Sequence, residues 1–395
     1  MFFLRKTVSI VVINIERFII NSLISLIPKN KSLMLFGSGG QFCDNAKYLY
    51  LYVSHNTDYD AYWITSLKSD VKTLSNAGLK VSYKYSLYTV WLILRSKFFY
   101  VISGIGNIFD FKVKGNIHVI NLWHGTPIKK IWMDSKRDIS VTKNGIDTIK
   151  KMTSEWSMFV VGHKSLIGMF SDASGITKNR IHATGLPRND ILHRAYSDKN
   201  FCKKIKKNTF KFSENDYIIL YCPTHRDGES DIEPIKRFIM EFMKNSFDKK
   251  YQLIVRLHRF TDASFYKELF KSDNVHDFTL YPDVQELLIS SDALVTDFSS
   301  IVFDFSILGR PFYFYTRSSN EYILERGGLY YDLNSFPAYT SDNPELILKR
   351  IIRNYGGEIK AIRAFSKQFN CQNGASKKVF DISIGLGESK CLEIK

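Results

Sequence analysis

Four short segments of this sequence place polar or ionisable side chains directly after an apolar run. They read WHGTP at 123–127, CPTHRD at 222–227, RLHRF at 256–260 and TDFSS at 296–300. Imidazole groups take up a proton near neutral pH, and arginine, histidine and hydroxyl side chains bind phosphate groups. The four segments together predict proton-transfer chemistry on a substrate that carries phosphate. A single histidine after a strand is more often structural, so the prediction depends on the four segments meeting in one place.

His124 ends its apolar run and is followed by Gly125, Thr126 and Pro127. A strand that stops at a turn of small residues carries its last side chains to the rim of the sheet, where open α/β folds place their ligands. An unperturbed imidazole titrates at about pH 6.5 and can take a proton from a hydroxyl group. We therefore predict that His124 is a catalytic base; a histidine packed into the fold is the alternative.

The segment that begins at Asp297 predicts a phosphate site. Ser299 and Ser300 precede a stretch, 301–308, in which apolar residues recur at helical spacing, so Asp297 or Ser299 is a natural N-cap for that helix. The free N–H groups of a helix start, its dipole and two hydroxyl groups favour a phosphate. Asp304 lies one turn inside the helix, where it is predicted to orient a neighbouring group or to bind a substrate hydroxyl.

Further donors for a diphosphate come from His258, His225 and Arg226. No spacing in the sequence predicts a metal site, because the five cysteines are scattered and Asp58 and Asp60 lie in a turn-like stretch before a strand. The sequence therefore predicts neither a metal ion nor a cofactor.

The elements that must position these segments alternate between strands and helices. Short runs of strand-forming residues begin at residues 33, 61, 98, 117, 158, 181, 217, 252, 293 and 311. Strands that alternate with helical stretches are typical of parallel sheets covered by helices. A lysine-rich stretch at 202–216 separates two such sets. We predict an α/β fold of two Rossmann-like domains, 31–205 and 206–395, which face a central cleft.

Length and charge agree with that organisation. A chain of 395 residues exceeds one ordinary core, and its apolar content of 45% is that of a globular protein. The 55 Lys and Arg residues against 39 Asp and Glu residues give a net charge of +16, which favours anionic partners such as phospholipid, nucleic acid or a phosphate-rich substrate. No nucleic-acid motif accompanies this charge, so nucleic acid is not predicted as a partner.

The predicted N-terminal segment, 1–30, contains a candidate amphipathic helix in its first 27 residues. Glu16 and Arg17 interrupt the apolar run before it reaches the length of about 20 residues that spans a bilayer. Polar residues at helical spacing leave an apolar surface on the other faces. Such a helix either lies in a membrane interface or packs on the protein itself, and the basic composition favours the membrane.

Five segments, in this order, resemble the motif series of the CDP-glycerol glycerophosphotransferase family, the primases and polymerases of teichoic acids and related capsules. They are NLWHGTPIKKI at 121–131, TGLPRND at 184–190, YCPTHRD at 221–227, LHRF at 257–260 and VTDFSSIVFDFSILGRPFYFY at 295–315. Two other stretches, FGSGGQFCDNAKYLY at 36–50 and ERGGLYYDL at 325–333, also resemble parts of that family. The resemblance covers roughly residues 33–355 and implies a two-domain GT-B fold, a CDP-activated polyol phosphate as donor and peripheral attachment to a membrane.

The residues and the resemblance together predict transfer of a polyol phosphate, foremost glycerol phosphate, from its CDP derivative to a hydroxyl of a lipid-linked acceptor, with release of CMP. The enzyme is expected to act in teichoic acid or capsule synthesis at the cytoplasmic face of the membrane. The predicted catalytic residues are His124 and Asp304, and the predicted donor-binding residues are His258, Arg226, His225, Asp297, Ser299 and Ser300. Two other functions stay open: a metal-independent GT-B glycosyltransferase that uses a nucleotide sugar, and a basic protein that binds membrane or nucleic acid without catalysis.

Overall fold

The computed structural model describes residues 26–110, 116–224, 232–244, 250–258, 261, 266–316, 323–324, 327–353 and 359–389. Most of the predicted N-terminal segment, 1–30, and the predicted donor-binding residues His225 and Arg226 lie outside these ranges. Among the helices inside them, none combines the length and the apolar character needed to traverse a bilayer.

Among the residues that the structure describes, seven parallel strands form the sheet of the first domain, in the order β3-β2-β1-β4-β5-β6-β7. They are β1 (Asn30–Phe36), β2 (Asp60–Thr65), β3 (Val81–Tyr83), β4 (Ser96–Val101), β5 (His118–Asn121), β6 (Met158–Val160) and β7 (Ile181–His182). All except β3 coincide with predicted strand runs. The strand β3 lies at the sheet edge and has three residues, too few for the sequence to show a period.

Six parallel strands, all within the described ranges, form the sheet of the second domain in the order β10-β9-β8-β11-β12-β13. They are β8 (Tyr217–Cys222), β9 (Tyr251–Val255), β10 (Val275–Asp277), β11 (Ala293–Thr296), β12 (Phe312–Tyr315) and β13 (Tyr339–Ser341). The sequence predicted the four inner strands. The two edge strands, β10 and β13, have three residues each and were not predicted.

Helices cover both faces of the two sheets. They are α1 (Asp44–Asn56), α2 (Lys68–Asn76), α3 (Leu87–Arg95), α4 (Lys136–Val141), α5 (Gly145–Ser154), α6 (Ile167–Ser174), α7 (Asp190–Ser197), α8 (Lys199–Thr209), α9 (Ile232–Lys244), α10 (Val284–Ser290), α11 (Ile301–Ser306), α12 (Pro344–Ile352), α13 (Ile359–Phe369) and α14 (Ala375–Ser389). In β1, Met34 and Phe36 pack into one apolar core, and Leu35 packs into another on the opposite face. A strand buried on both faces must be apolar throughout, which is why these strands could be recognised as continuous apolar runs.

The chain passes from the first domain to the second after β7 and returns at its end. Leu192 of α7 packs into the core of the second domain. The last helix, α14, lies against the first domain, where Val379 and Phe380 join the core beside β1 and the Ser383 hydroxyl lies 2.6 Å from the hydroxyl of Tyr100. The predicted domain limit between residues 205 and 206 falls inside α8, so this helix contains residues assigned to both domains.

The sheet topology places the four predicted segments at comparable positions. Parallel strands have their carboxyl ends at one edge, and these segments follow β5, β8, β9 and β11. In the second sheet the strand order reverses between β8 and β11. Open α/β sheets bind ligands at such a reversal.

Candidate active site

A pocket of about 430 Å³ lies between the two domains and contains residues of all four predicted segments. The first domain contributes Trp123, His124, Gly125, Pro127, Ile128, Lys129, Lys130, Ile131, Ser135 and Asp138, and the second contributes Thr224, His258, Phe298, Ser299 and Ser300. The structure therefore brings His124 together with three of the predicted donor-binding residues, His258, Ser299 and Ser300.

The loop after β5 presents His124 to this pocket. Its neighbours have backbone φ angles in the left-handed range, +54° at Trp123 and +127° at Gly125. A Cβ atom on Gly125 would lie 2.7 Å from Nη2 of Arg188 and 3.2 Å from Oγ of Ser300, so this close approach requires glycine. The glycine after His124 thus allows the loop of the first domain to lie against the second domain.

The imidazole of His124 is held with one nitrogen available. Its Nδ1 atom lies 3.2 Å from the carbonyl oxygen of Ile102. A carbonyl oxygen can only accept, so Nδ1 carries the proton and the neutral ring has its unshared electron pair on Nε2. The ring also packs on the indole of Trp123, with 3.9 Å between ring centroids. A neutral imidazole with an unshared electron pair on Nε2 is the state that a general base requires.

The surroundings of His124 lower its pKa below the ordinary value for histidine. The side chain keeps access to solvent through the pocket, and desolvation by the surrounding protein has the largest effect on the pKa. The positive charge of Arg188 acts in the same direction, whereas the Asp44 carboxylate and the Ile102 carbonyl oppose it. The imidazole is therefore neutral at pH 7 and able to accept a proton.

The second domain contributes hydroxyl groups and an imidazole to the pocket. Ser300 directly precedes α11 but makes no side-chain capping bond, whereas the hydroxyl of Ser299, one of the two predicted caps, accepts the backbone N–H of Ile301 at 3.4 Å. Asp297 is buried, and its Oδ1 atom accepts hydrogen bonds from the backbone N–H of Thr224, at 2.8 Å, and from the Thr224 hydroxyl. The carboxylate of Asp297 thus joins the ends of β11 and β8, and it supports the segment that leads to His225.

Asp304 is buried and is not part of the pocket lining. Its Oδ2 atom lies 2.9 Å from Nη2 of Arg188, whose Nη1 atom lies 2.8 Å from the Asp44 carboxylate. Burial raises the pKa of Asp304, an effect that the positive charge of Arg188 opposes. The structure thus gives this predicted catalytic residue a charged partner that the sequence prediction did not include.

Asn45 is a residue of the site that the sequence prediction did not select. Its side-chain amide donates hydrogen bonds to the carbonyl oxygens of Leu122, at 3.1 Å, and Trp123, at 2.9 Å. Its Oδ1 atom accepts the backbone N–H of Arg188 at 3.0 Å. The available signal was the stretch at 36–50, which resembles the family but was not given a role.

The segment 327–331 connects the second domain to the loop that follows His124. Lys129 and Leu329 form an antiparallel bridge, and the backbone N–H of Lys130 donates to the carbonyl of Gly328 at 3.1 Å. These contacts hold the backbone of two lysines that line the pocket.

The described residues contain no group of three His, Cys, Asp or Glu side chains placed to hold a metal ion. Asp60, from the turn-like stretch before β2, forms an ion pair with Lys80. The pocket is lined by imidazole, hydroxyl and ammonium groups, which are chemically suited to phosphate.

The chain matches the family model of the CDP-glycerol:poly(glycerophosphate) glycerophosphotransferases over residues 19–382. It belongs to this family. A teichoic acid glycerol-phosphate transferase of Staphylococcus aureus is 29% identical over 361 residues, which cover 88% of this chain and 90% of that protein. A teichoic acid poly(glycerol phosphate) polymerase of Bacillus spizizenii is 29% identical over 384 residues, which cover 93% and 95%.

A solved structure of the wall teichoic acid polymerase TagF superimposes on this glycerophosphotransferase with a TM-score of 0.77, covering 98% of this chain and 97% of that one at 22% identity. This likeness shows the fold, so the predicted GT-B architecture is confirmed. The family transfers glycerol phosphate from CDP-glycerol, and the predicted family and enzyme class are also confirmed.

The electrostatics of the site predict that the pKa of His124 is lower than the ordinary value for histidine. We expect NMR titration of this ring to give a pKa below about 6.5, since desolvation disfavours the charged form. Asp44→Asn should lower the pKa further, because it removes a negative charge that favours the imidazolium. The spectrum of His124→Gln identifies the resonance. A pKa of His124 at or above the ordinary value would contradict this account of the site.

Proposed function

We propose that this chain transfers glycerol phosphate from CDP-glycerol to a hydroxyl group of a lipid-linked acceptor and releases CMP. The observation that carries the proposal is the imidazole of His124, neutral and with Nε2 available, in a pocket whose hydroxyl, imidazole and ammonium groups suit phosphate. Family membership and the glycerol-phosphate relatives support this choice of donor.

The proposed reaction is an in-line displacement at phosphorus. The acceptor hydroxyl gives its proton to Nε2 of His124 while its oxygen attacks the phosphorus that carries glycerol. A new oxygen–phosphorus bond forms, and the bond from that phosphorus to the bridging oxygen of the diphosphate breaks. The bridging oxygen leaves with the electron pair as part of CMP. Positioning and charge neutralisation dominate reactions of this kind.

The second domain is proposed to hold the diphosphate of the donor. Ser299, Ser300 and His258 line the pocket that contains His124, and their hydroxyl and imidazole groups can donate to phosphate oxygens. His225 and Arg226 follow Thr224 directly in sequence, and they stay predicted members of this set. The short distance that Gly125 allows to Ser300 supports an arrangement in which base and donor meet.

The base and the donor-binding groups should respond differently to substitution. His124→Ala is expected to lower kcat for CMP release by about 10²–10⁴-fold with little change in the Kd for CDP-glycerol, because a base contributes to the transition state and little to ground-state affinity. The matched variant Ser299→Ala with Ser300→Ala should instead raise that Kd. Product release and calorimetric binding measure the two quantities.

Parallel incubations of the wild type with CDP-glycerol, CDP-ribitol and UDP-sugars identify the donor. Release of UDP with no release of CMP would contradict the proposal in favour of a glycosyltransferase. A His124→Ala variant with normal turnover would remove His124 from the mechanism.

The lysines of the pocket support an acceptor that carries phosphate. Lys129 and Lys130 line the pocket, and the bridge to the segment 327–331 holds their backbone. Gly328 has a φ of +109° and lies beside the Lys130 side chain, because a Cβ atom on this residue would be 3.5 Å from it. We infer that Lys130 binds an anionic group of the acceptor.

Removal of this ammonium should weaken acceptor binding selectively. Lys130→Ala is expected to raise the KM for a lipid-linked phosphate acceptor by roughly tenfold, because one charge-assisted contact is lost. The KM for CDP-glycerol should not change. Lys136→Ala, in an exposed lysine outside the pocket lining, is the control. Equal effects of the two substitutions would show that general surface charge, and not this contact, attracts the acceptor.

A lipid-linked acceptor implies peripheral attachment to a membrane, which we propose for this chain. The net charge of +16 favours anionic lipid. The helix α3 exposes Leu87 and Trp91, at 89% and 48% of their surface, and Arg95 lies over the Trp91 ring at 5.2 Å. Apolar and aromatic side chains beside a cation are suited to the interfacial region of a bilayer.

Membrane attachment of this kind can be measured by sedimentation with vesicles. We expect binding to vesicles that contain anionic phospholipid to weaken as salt rises, because the basic surface supplies part of the attraction. Leu87→Ser with Trp91→Ser should weaken it further, whereas Leu346→Ser, an exposed leucine on α12, serves as the control. Binding that neither salt nor the α3 substitutions change would contradict the proposal.

A further inference from the structure

We propose that Asn45 and Arg188 are positioning residues, which hold His124 in register with the donor-binding serines of the other domain. The inference rests on the proposed function, in which His124 is the base. Neither residue lines the pocket, so each is expected to act through the groups it holds.

The first link of this connection is the contact of Asn45 with the backbone before His124. Asn45 is fully buried, and its amide nitrogen binds the consecutive carbonyl oxygens of Leu122 and Trp123. Trp123 has a φ of +54°, a conformation that a bulky residue keeps only where its surroundings impose it. The two hydrogen bonds from Asn45 supply such a restraint. They therefore fix the backbone position from which the next residue, His124, extends.

The second link joins this backbone to Arg188. The Oδ1 atom of Asn45 accepts the N–H of Arg188, so one side chain binds the backbone of both segments. The Arg188 guanidinium also lies close to the backbone of Gly125, since a Cβ atom on that residue would be only 2.7 Å from Nη2. Arg188 therefore lies against the loop of His124 through its guanidinium as well as being linked to it through Asn45.

The third link crosses to the second domain. The two ends of the Arg188 guanidinium pair with Asp44 of α1, at 2.8 Å, and with Asp304 of α11, at 2.9 Å. The helix α11 begins directly after Ser299 and Ser300, which line the pocket. A guanidinium group is planar and binds two carboxylates in defined directions, so it transmits position as well as charge.

These three links form one continuous path from the base to the serines that are proposed to bind the donor. A displacement of about 1 Å of a reacting group can cost about 10²-fold in rate. Loosening any link should therefore lower kcat while the pocket still binds CDP-glycerol. A residue that only stabilised the fold would lower the melting temperature without this selective loss of kcat.

The test uses the full-length enzyme with Asn45→Ala, Asn45→Asp and Arg188→Lys. Asn45→Asp keeps an acceptor for the Arg188 N–H but lacks the donor to Leu122 and Trp123. Arg188→Lys keeps a positive charge but cannot pair in two directions. Each variant is expected to lower kcat by about 10²-fold and to change the KM for CDP-glycerol by less than about threefold.

The background of His124→Ala separates a positioning role from a structural one. If Asn45 acts through His124, Asn45→Ala should cause no further loss of the residual turnover in that background, because the base it positions is already absent. A loss as large as that seen in the wild-type background would overturn the inference. Should Asn45→Ala fail to fold, Arg188→Lys carries the same comparison, and a normal kcat in that variant would also overturn it.

A matched control removes a buried amide far from the pocket. Gln252 of β9 bonds to His276 of the edge strand β10 at 2.8 Å, and Gln252→Ala is expected to lower the melting temperature with kcat preserved. A tenfold or greater loss of kcat in this control would overturn the inference, because it would show that kcat follows stability alone. Wild-type enzyme without CMP release from CDP-glycerol would disprove the proposed function, whereas active wild type with normal variants would disprove only the positioning roles.

Discussion

The buried guanidinium of Arg188 is the interaction that joins the segment beside His124 in the first domain to the helix that follows Ser299 and Ser300 in the second. Its side chain is 7% exposed, and its carboxylate partners, Asp44 and Asp304, come from different domains. A buried charge that loses its partner is destabilising by roughly 3–5 kcal/mol. Asp44 lies in the same domain as Arg188, so the pair with Asp304 is the one that forms only when the domains are docked, and the docked state is also the one in which the pocket is complete.

The protonation state of His124 follows from the kind of partner that its imidazole has. The Nδ1 atom of His124 bonds to a backbone carbonyl, which selects the tautomer without adding a negative charge. A carboxylate in that place would raise the pKa, as the more distant Asp44 does to a smaller extent than desolvation lowers it. The result is an imidazole that is neutral at pH 7 in a pocket that also contains hydroxyl and ammonium groups.

The topology of the two sheets places the pocket where loops of both domains meet. The pocket lies where the loops after β5, β8, β9 and β11 converge, and the strand order of the second sheet reverses at β8 and β11. Gly125 allows the loops of the two domains to touch, and the bridge between Lys129 and Leu329 connects them again. His124 comes from one domain and Ser299 and Ser300 from the other, so neither domain contains the whole pocket.

The sequence by itself determined the elements whose pattern is local. Apolar runs revealed the inner strands, because a strand buried on both faces is apolar throughout, and the polar residues after those runs revealed His124, Ser299 and Ser300. The tertiary structure decided which side chains meet across long separations. Asn45 and Arg188 are 143 residues apart, and the partner of Asp304 lies in the other domain. Such contacts leave no period in the sequence, because a polar side chain at any one position is compatible with solvent, a cap or a buried ion pair, and only the packing of the domains selects among them.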